Sequence, residues 1–499
     1  MSTPGRPKCE YRSAQREGTL ISSCIVVAPP SRNRPMNPST TTPPRRLTRL
    51  QRAILAVLIV VAIVAGVLYN ESEQIVLGAE AYVYGYPLVM MDVTRANAAQ
   101  VIGPQNHLRR VRQFPDASFH DVVRPNVDTL YTTAFIDMAT GPWVFEMAAN
   151  DQRYEVMAFM DGWTNVFAAP GTRTTGTAGG GFMLVGPLWQ GRVPEGLTLL
   201  RSPTQIVWLI GRTQTNGVAD YPVVHRLQDG ITLRTLASWQ AAAPEPEPSW
   251  QPAAMKPLPP VVQMQAMCTE AFFTRLAALL VNNPPAAADG PMMVKLSRLG
   301  LAPGKPPSWS ALDRWGASLG RWIADRTVAK ELKQPRDLVR GWFTPPAMLG
   351  DYGTFYNTRA VVAMIGLGAN LPADATYPNT QVDSSGQALN GSHRYRVHFK
   401  AGELPPVNAF WSITAYGADD FFIDNPLHRY AVGDRDPLAL NADGSLDLWM
   451  QAEPPDGARK GNWLPVKAGE PFLLNARLYW PKPTALNGSW SMPGVERVD

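Results

Sequence analysis

The sequence predicts a mainly β protein with added helix (α+β): two β-sandwich or jelly-roll-like domains joined by a helical segment, behind one N-terminal transmembrane helix. Three observations carry this. Short stretches of period-two alternation recur on both sides of a middle region with helical spacing. The 499 residues include 47 Pro, 40 Gly and 15 Trp, turn formers and large aromatics that suit β architecture. Ala53 to Tyr69 runs for 17 residues without a charge.

A chain of this length exceeds what a single core usually fills, so two or three domains are expected. Hydrophobic content of 45% and a mean hydropathy of −0.14 describe a globular chain, not a multi-span or disordered one. The net charge is only +5, and several cations sit in the N-terminal tail, so the basic balance does not argue for nucleic acid. Cys9, Cys24 and Cys268 form neither a CxxC nor a Cys/His cluster, which argues against structural zinc and a disulfide framework. Cys268 closes the apolar run from Val261 and reads as a buried structural thiol in preference to a nucleophile.

The elements follow in order. Residues 1–52 read as a cytoplasmic tail; Met36-Asn-Pro-Ser-Thr-Thr-Thr-Pro-Pro-Arg-Arg is the more ordinary lead-in, so translation is expected to start at Met36. Residues 53–69 form the membrane segment. Arg45, Arg46, Arg49 and Arg52 precede it and Glu71 and Glu73 follow, which places the tail in the cytoplasm. The body then faces the periplasm or exterior from an inner-membrane anchor. No A-x-A site closes the run, which favours an uncleaved anchor over a cleaved signal.

Residues 71–240 form the first β-rich domain. Glu71 to Gln100 is helix-like, with Pro87 expected to kink or end the helix. Thr129, Tyr131, Thr133 and Phe135 then alternate with Leu130, Thr132, Ala134 and Ile136, a strand with two distinct faces. Further short strands are expected at Trp143-Val-Phe-Glu, Arg153 to Asp161, Phe182 to Pro187 and Gln205 to Arg212. Residues 241–390 hold a Pro-rich linker, Ala241 to Pro260, and a helical segment. Helices are expected at Val261 to Val281, Ala311 to Leu332 and Thr354 to Gly368. Leu312, Trp315, Leu319 and Ile323 share one stripe, read as core-facing. Gly316-Ala-Ser318-Leu-Gly320 matches a hydrolase nucleophile elbow by chance, because that chemistry needs a strand before the serine. Residues 391–499 return to β, with strands at Arg394 to Lys400, Phe410 to Tyr416, Leu446 to Met450 and Phe472 to Trp480.

Arg124-Pro-Asn-Val-Asp-Thr-Leu-Tyr131, Gly141-Pro142, Arg153-Tyr154, Asp161, Gly171-Thr-Arg173 and Gly186-Pro-Leu-Trp189 resemble the DUF1254 family. Pro405-Pro406, Phe410-Trp-Ser412, Asn425-Pro426, Arg429-Tyr430, Gly433-Asp434, Asn462-Trp-Leu-Pro465 and Arg477-Leu-Tyr-Trp-Pro481 resemble DUF1214. The resemblance spans most of residues 75–497. It implies a β-rich two-domain fold, a bacterial origin and frequent export to the cell envelope, and it names no reaction.

The candidate chemistry lies first in the stretch from Arg124 to Tyr131. Pro125 disfavours a helical Arg124 and should set it extended. Asn126 and Asp128, two apart, share a face in an extended chain and could hold sugar hydroxyls or a hard cation. Joined by Asp161 and Arg173, the site would hold two carboxylates, a guanidinium and amide donors. Asp128 and Asp161 could then divide acid and base roles in a hydrolysis. The competing reading pairs Arg124 with Asp128 structurally and gives Asn126 an Asx-turn.

A second polar face, Asn475, Arg477 and Tyr479 with Ser412, Thr414 and Tyr416, either lines a concave sheet or is a solvated surface. Tyr131 and Arg477 are candidates for orienting a ligand. His120-Asp121 could put a base nearby, though a satisfied loop histidine is the plainer reading. No residue set has metal-ligand spacing, and no cofactor is named. Two functions stay open: an envelope enzyme or binding module for a polar small molecule or glycan, and a non-enzymatic envelope scaffold or partner-binding protein.

Overall fold

The computed structural model describes residues 48–120, 122–331 and 337–499. The start at Met36, Cys9 and Cys24, Arg45 and Arg46, and Asp121 lie outside these residues. The chain divides into two compact units, residues 1–63 and 64–499. Helix α1 (Arg49–Asn70) carries the boundary. Its 22 residues have a mean hydropathy of 2.7 in the most apolar stretch, and none is buried. At about 1.5 Å per residue it is roughly 33 Å long, enough to cross a hydrocarbon core. A signal sequence would meet the same criterion.

The second unit is mixed α+β, mostly sheet with several helices. It opens with α2 (Ser72–Val101), followed by β1 (Arg109–Arg110), β2 (Thr129–Asp137), β3 (Trp143–Met147) and β4 (Glu155–Asp161). Next come β5 (Val166–Ala168), β6 (Gly180–Val185), β7 (Leu197–Arg201), β8 (Ile206–Gln214), α3 (Tyr221–Asp229), β9 (Thr232–Thr235) and α4 (Leu236–Gln240). These strands make two sheets, ordered β1-β2-β8-β4-β5 and β7-β6-β3-β9. The alternation along β2 does what it should. Ala134 and Ile136 join Phe145, Phe159, Phe182 and Leu209 in a core shared by both sheets, while Tyr131 and Phe135 face the other way.

The middle of the chain is helical: α5 (Pro260–Ala266), α6 (Thr269–Leu280), α7 (Gly290–Arg298), α8 (Ala311–Glu331) and α9 (Tyr356–Ile365). These helices share a core with α2, built around Tyr82, Tyr84, Phe272, Phe273 and Leu276. The stretch before them is no free spacer. Trp250 Nε1 donates to Ala99 O at 2.8 Å, Ala253 N to Gln100 O at 2.8 Å, and Asn97 Nδ2 to Leu258 O at 2.9 Å.

The C-terminal strands are β10 (Ala375–Thr376), β11 (Asn379–Thr380), β12 (Tyr395–Phe399), β13 (Trp411–Gly417) and β14 (Ala431–Gly433). They continue with β15 (Leu446–Gln451), β16 (Trp463–Pro465), β17 (Phe472–Tyr479) and β18 (Val495–Arg497). Two sheets result, β10-β17-β13-β14 and β16-β15-β12-β18, with β11 also on β17. Val397, Phe399, Ile413, Leu448, Leu474 and Leu478 fill the core between them.

Four local expectations are corrected. Pro87 neither ends α2 nor borders it; the helix runs on to Val101. Every residue from Tyr84 to Val93 is buried, and that packing outweighs the hydrogen bond a proline forfeits. The helix expected over Val261–Val281 is two helices, broken at Met267 and Cys268. Cys268 sits in that break and is exposed, not buried. The Leu312 stripe of α8 faces outward: Leu312 is 40% exposed, Trp315 43% and Ile323 40%. The inner face is instead Gly316, Ala317, Gly320, Arg321, Ala324 and Val328. A Cβ on Gly78 of α2 would sit 2.8 Å from the Ala317 Cα, and one on Gly320 would strike the Ile75 carbonyl. The Gly-x-Ser-x-Gly pattern is therefore a helix-packing surface that lets two backbones approach closely.

Candidate functional site

Strand β17 alternates cleanly. Leu474, Ala476 and Leu478 enter the C-terminal core, leaving Asn475, Arg477 and Tyr479 on the opposite face. On β13 the register sets Ser412 opposite Arg477 and Thr414 opposite Asn475. This face is not solvated: Ser412, Thr414 and Tyr416 are 0% exposed, and Asn475 and Arg477 4% each. The segment from Arg124 to Tyr131 covers it. The two constellations found separately in the sequence are two sides of one seam.

Asn126 makes the Asx-turn that opens β2. Its Oδ1 accepts from the Asp128 N at 3.0 Å and the Thr129 N at 2.9 Å, and its Nδ2 donates to the Tyr131 hydroxyl at 2.8 Å. That turn aims Asp128 at β13 and β17. One carboxylate oxygen of Asp128 accepts from Ser412 Oγ at 2.7 Å and from the Tyr479 hydroxyl at 3.3 Å. The other is paired with Arg435, and the side chain has no exposure. Asp128 is thus paired, but with Arg435 and not with Arg124. Arg124 holds the half-exposed Asp420 at 2.7 Å. It is not extended either: its φ is +50°, fixed by its N–H on Asp420 O at 2.8 Å and by Arg477 Nη2 on its carbonyl at 2.9 Å. These hydrogen bonds offset a left-handed strain of about 1–2 kcal/mol.

Arg477 donates only to neutral acceptors: Thr414 Oγ1 at 2.8 Å, the Arg124 and Pro125 carbonyls, and the Tyr416 hydroxyl at 2.6 Å. Burial works to lower its pKa, but Tyr416, Tyr479 and Asp128 more than compensate and keep it above the usual arginine value. Arg212, opposite Tyr131 on β8, is similar. It donates to Asn370 Oδ1 at 2.5 Å and Gly368 O at 2.8 Å and lies 5.3 Å from the Tyr131 ring centroid. Burial, with Asp128 adding to it, raises the Tyr479 phenol well above its ordinary value; burial also raises Tyr377. Asn475 Oδ1 and Arg435 Nε are buried without a protein partner.

Arg173 lies at the same seam. It grips Asp374 through two bonds, 2.6 and 2.9 Å, and the Asp374 carbonyl accepts from the Tyr154 hydroxyl at 2.9 Å. Asp161 does not join them. Asp128 O accepts from Thr215 N, just past β8, whereas Asp161 pairs with Val207; the eight residue steps between those two positions span roughly 26 Å at about 3.3 Å per residue. Carboxyl pairs that share a glycosidic reaction sit about 5–9.5 Å apart. Asp161 instead caps its own turn, accepting from the backbone N of Trp163 and of Asn165, each at 2.9 Å. Burial lifts its pKa to about 6.

Arg212, Arg435, Asp374 and Tyr377 were missed as site residues. Arg212 carries a signal in the sequence, a lone charge closing an apolar strand. His120 is exposed, its ring 4.5 Å from that of Phe421. An open groove of about 560 Å³ runs along Leu108 to Gln113 at the outer edge of the first sheet. Arg110 and Arg112 there already serve carbonyls and Asp229, whereas the seam keeps Asn475 Oδ1 and Arg435 Nε without a protein partner.

Two β-sheet halves locked by a polar seam define a two-domain protein whose halves complete one another. Residues 105–235 match the family described as protein of unknown function DUF1254, and residues 374–483 match DUF1214. The chain thus carries both domains, in this order. Its fold is similar to the crystal structure of the VPA0106 protein from Vibrio parahaemolyticus, with a TM-score of 0.66 and 27% identity. That match covers 85% of this chain and 100% of the other. A putative uncharacterised protein from Burkholderia cenocepacia matches at a TM-score of 0.43 and 13% identity, over 88% of this chain and 96% of the other. No curated protein matches the chain.

Proposed function

We propose that this is an inner-membrane-anchored envelope protein, its body on the periplasmic or exterior side, that binds a polar small molecule or glycan bearing an acidic group. The ligand would meet the seam at Tyr131, Tyr377, Arg212, Asn475 and Arg477. One observation carries the reading. Within the seam, Arg212 and Arg477 are buried guanidiniums without a carboxylate partner, while Asp128 and Asp374 are already matched by Arg435 and Arg173; Arg321 and Arg359, buried likewise, lie instead against the Tyr82 and Tyr84 rings of the helical layer. An unpaired buried charge costs several kcal/mol, which an incoming carboxylate or phosphate would offset. Half-buried Tyr131 and Tyr377 add hydroxyls and ring faces suited to a sugar.

Asp128 and Asp161 cannot serve one reaction centre from opposite ends of β8. In this reading Asp128 orients Arg435 and Tyr479, and Arg124, Asn126 and Arg173 hold the seam closed around the ligand. Each half, with two sheets over one core, supports the sandwich-like architecture. The scaffold reading keeps one observation of its own: both Asp128 oxygens are occupied.

The test is a thermal-shift screen of the full chain in detergent against uronic acids, sugar phosphates and dicarboxylates. A ligand at 100 times its Kd should stabilise by about 2.7 kcal/mol. Arg212→Gln should erase the shift, and Arg298→Gln, on a distant exposed ion pair, should keep it. No shift with any acidic ligand on folded protein would favour the scaffold.

A further inference from the structure

The outward face of α8 is the largest departure from what the sequence pattern promised. Leu312, Trp315, Leu319, Trp322 and Ile323 recur at three- and four-residue spacing, and Trp322 is 53% exposed. Soluble proteins rarely leave two tryptophans, a leucine and an isoleucine together in water, so such a patch marks a surface that meets something.

We propose that this face docks on a lipid surface, the headgroup layer of the bilayer that α1 crosses. The inference rests on the anchor reading of α1. Three observations select lipid over another occupant. First, α1 ends at Asn70 and α2 starts at Ser72, and the first turns of α8 pack on the first turns of α2, with Gly316 against Glu71 and Gln74. A spanning α1 would therefore hold the start of α8 close to the bilayer surface. Second, the residue types are those of an interface-lying helix. Tryptophan prefers the headgroup level, where its ring is buried and its N–H stays wet. Third, cations run along the same face. Arg326 covers the Trp322 ring at 4.2 Å, and exposed Lys330 continues the stripe one turn on. Long basic side chains can lay their stems on apolar surface and present the charge to lipid phosphate.

The experiment uses the full chain in vesicles of phosphatidylethanolamine and phosphatidylglycerol with brominated acyl chains, which quench nearby indoles. Wild type is compared with Trp315→Phe/Trp322→Phe and with the single Trp322→Phe variant as a check on folding. Wild type should lose more emission than the double variant, by the share that two of the chain's 15 tryptophans carry. Amide exchange across residues 311–331 should also slow in vesicles relative to detergent. Equal fractional quenching in a chain that resists alkaline carbonate extraction overturns this inference and leaves the anchor standing. Release of the chain by carbonate overturns the anchor reading and this inference with it. A detergent-solubilised dimer that the double variant makes monomeric overturns it in favour of a second copy as the occupant.

Discussion

A guanidinium almost wholly removed from water and given only neutral acceptors is costly, and the seam keeps two, Arg212 and Arg477. The acid that does lie among them, Asp128, is fully engaged. Asp128→Asn should therefore cost about 3–5 kcal/mol in urea unfolding, because it strands Arg435 beside a neutral amide. Arg124→Gln breaks an ion pair whose partners are about a third exposed and should cost under about 1 kcal/mol. Similar losses from the two would mean that the seam is wetter than drawn here. Asp161 offers a pH signature. Its folded pKa is raised to about 6 by burial, against about 3.9 unfolded, so the folded state holds the proton more tightly. The associated stability is full below about pH 4 and is lost as pH rises through 6. Asp161→Asn should remove that loss, gaining on wild type by about 3 kcal/mol between pH 4 and 7 in paired denaturation curves. A constant difference across that window would show that Asp161 titrates normally.

Helix α8 shows how element-scale packing chooses between two faces that the sequence leaves undecided. Helical spacing revealed an apolar stripe, but periodicity does not say which side is buried. The Gly/Ala side wins against α2 because backbone-to-backbone approach leaves no room for larger residues. Gly320→Ala should thus cost about 1–3 kcal/mol by forcing the helices apart, while Ser318→Ala on the same helix should be near neutral. A thermal melt of each variant decides the matter; equal midpoints would mean that the contact is looser than its geometry. Strand β2 was legible in full, since its alternation, its turn and its register agree. The seam was only half legible. Its polar residues stood out locally at Asn126, Asp128 and Arg477, but their partners lie some 300 residues apart in sequence, a pairing that no spacing rule reaches. Arg124 was misjudged for the same reason: contacts with Asp420 and Arg477 set its backbone, overriding the preference imposed by Pro125.

At the scale of the molecule, the two β halves and the helical layer share their boundaries. Tyr154 of the first half, with Phe410 and Tyr479 of the second, belongs to one apolar cluster with Met91 of α2. Calorimetry of the full chain should consequently give one transition for the two β halves, not two. Two well-separated peaks would show that the halves are independent and the seam decorative. The seam also bears on inheritance. A crossover between genes for two such proteins, falling anywhere from residue 240 to 370, would join a foreign Asp128 and Arg173 to a resident Arg435 and Asp374. Offspring chains would fold only when both parents had settled on the same four charges, so the two halves are expected to travel through evolution as a single piece.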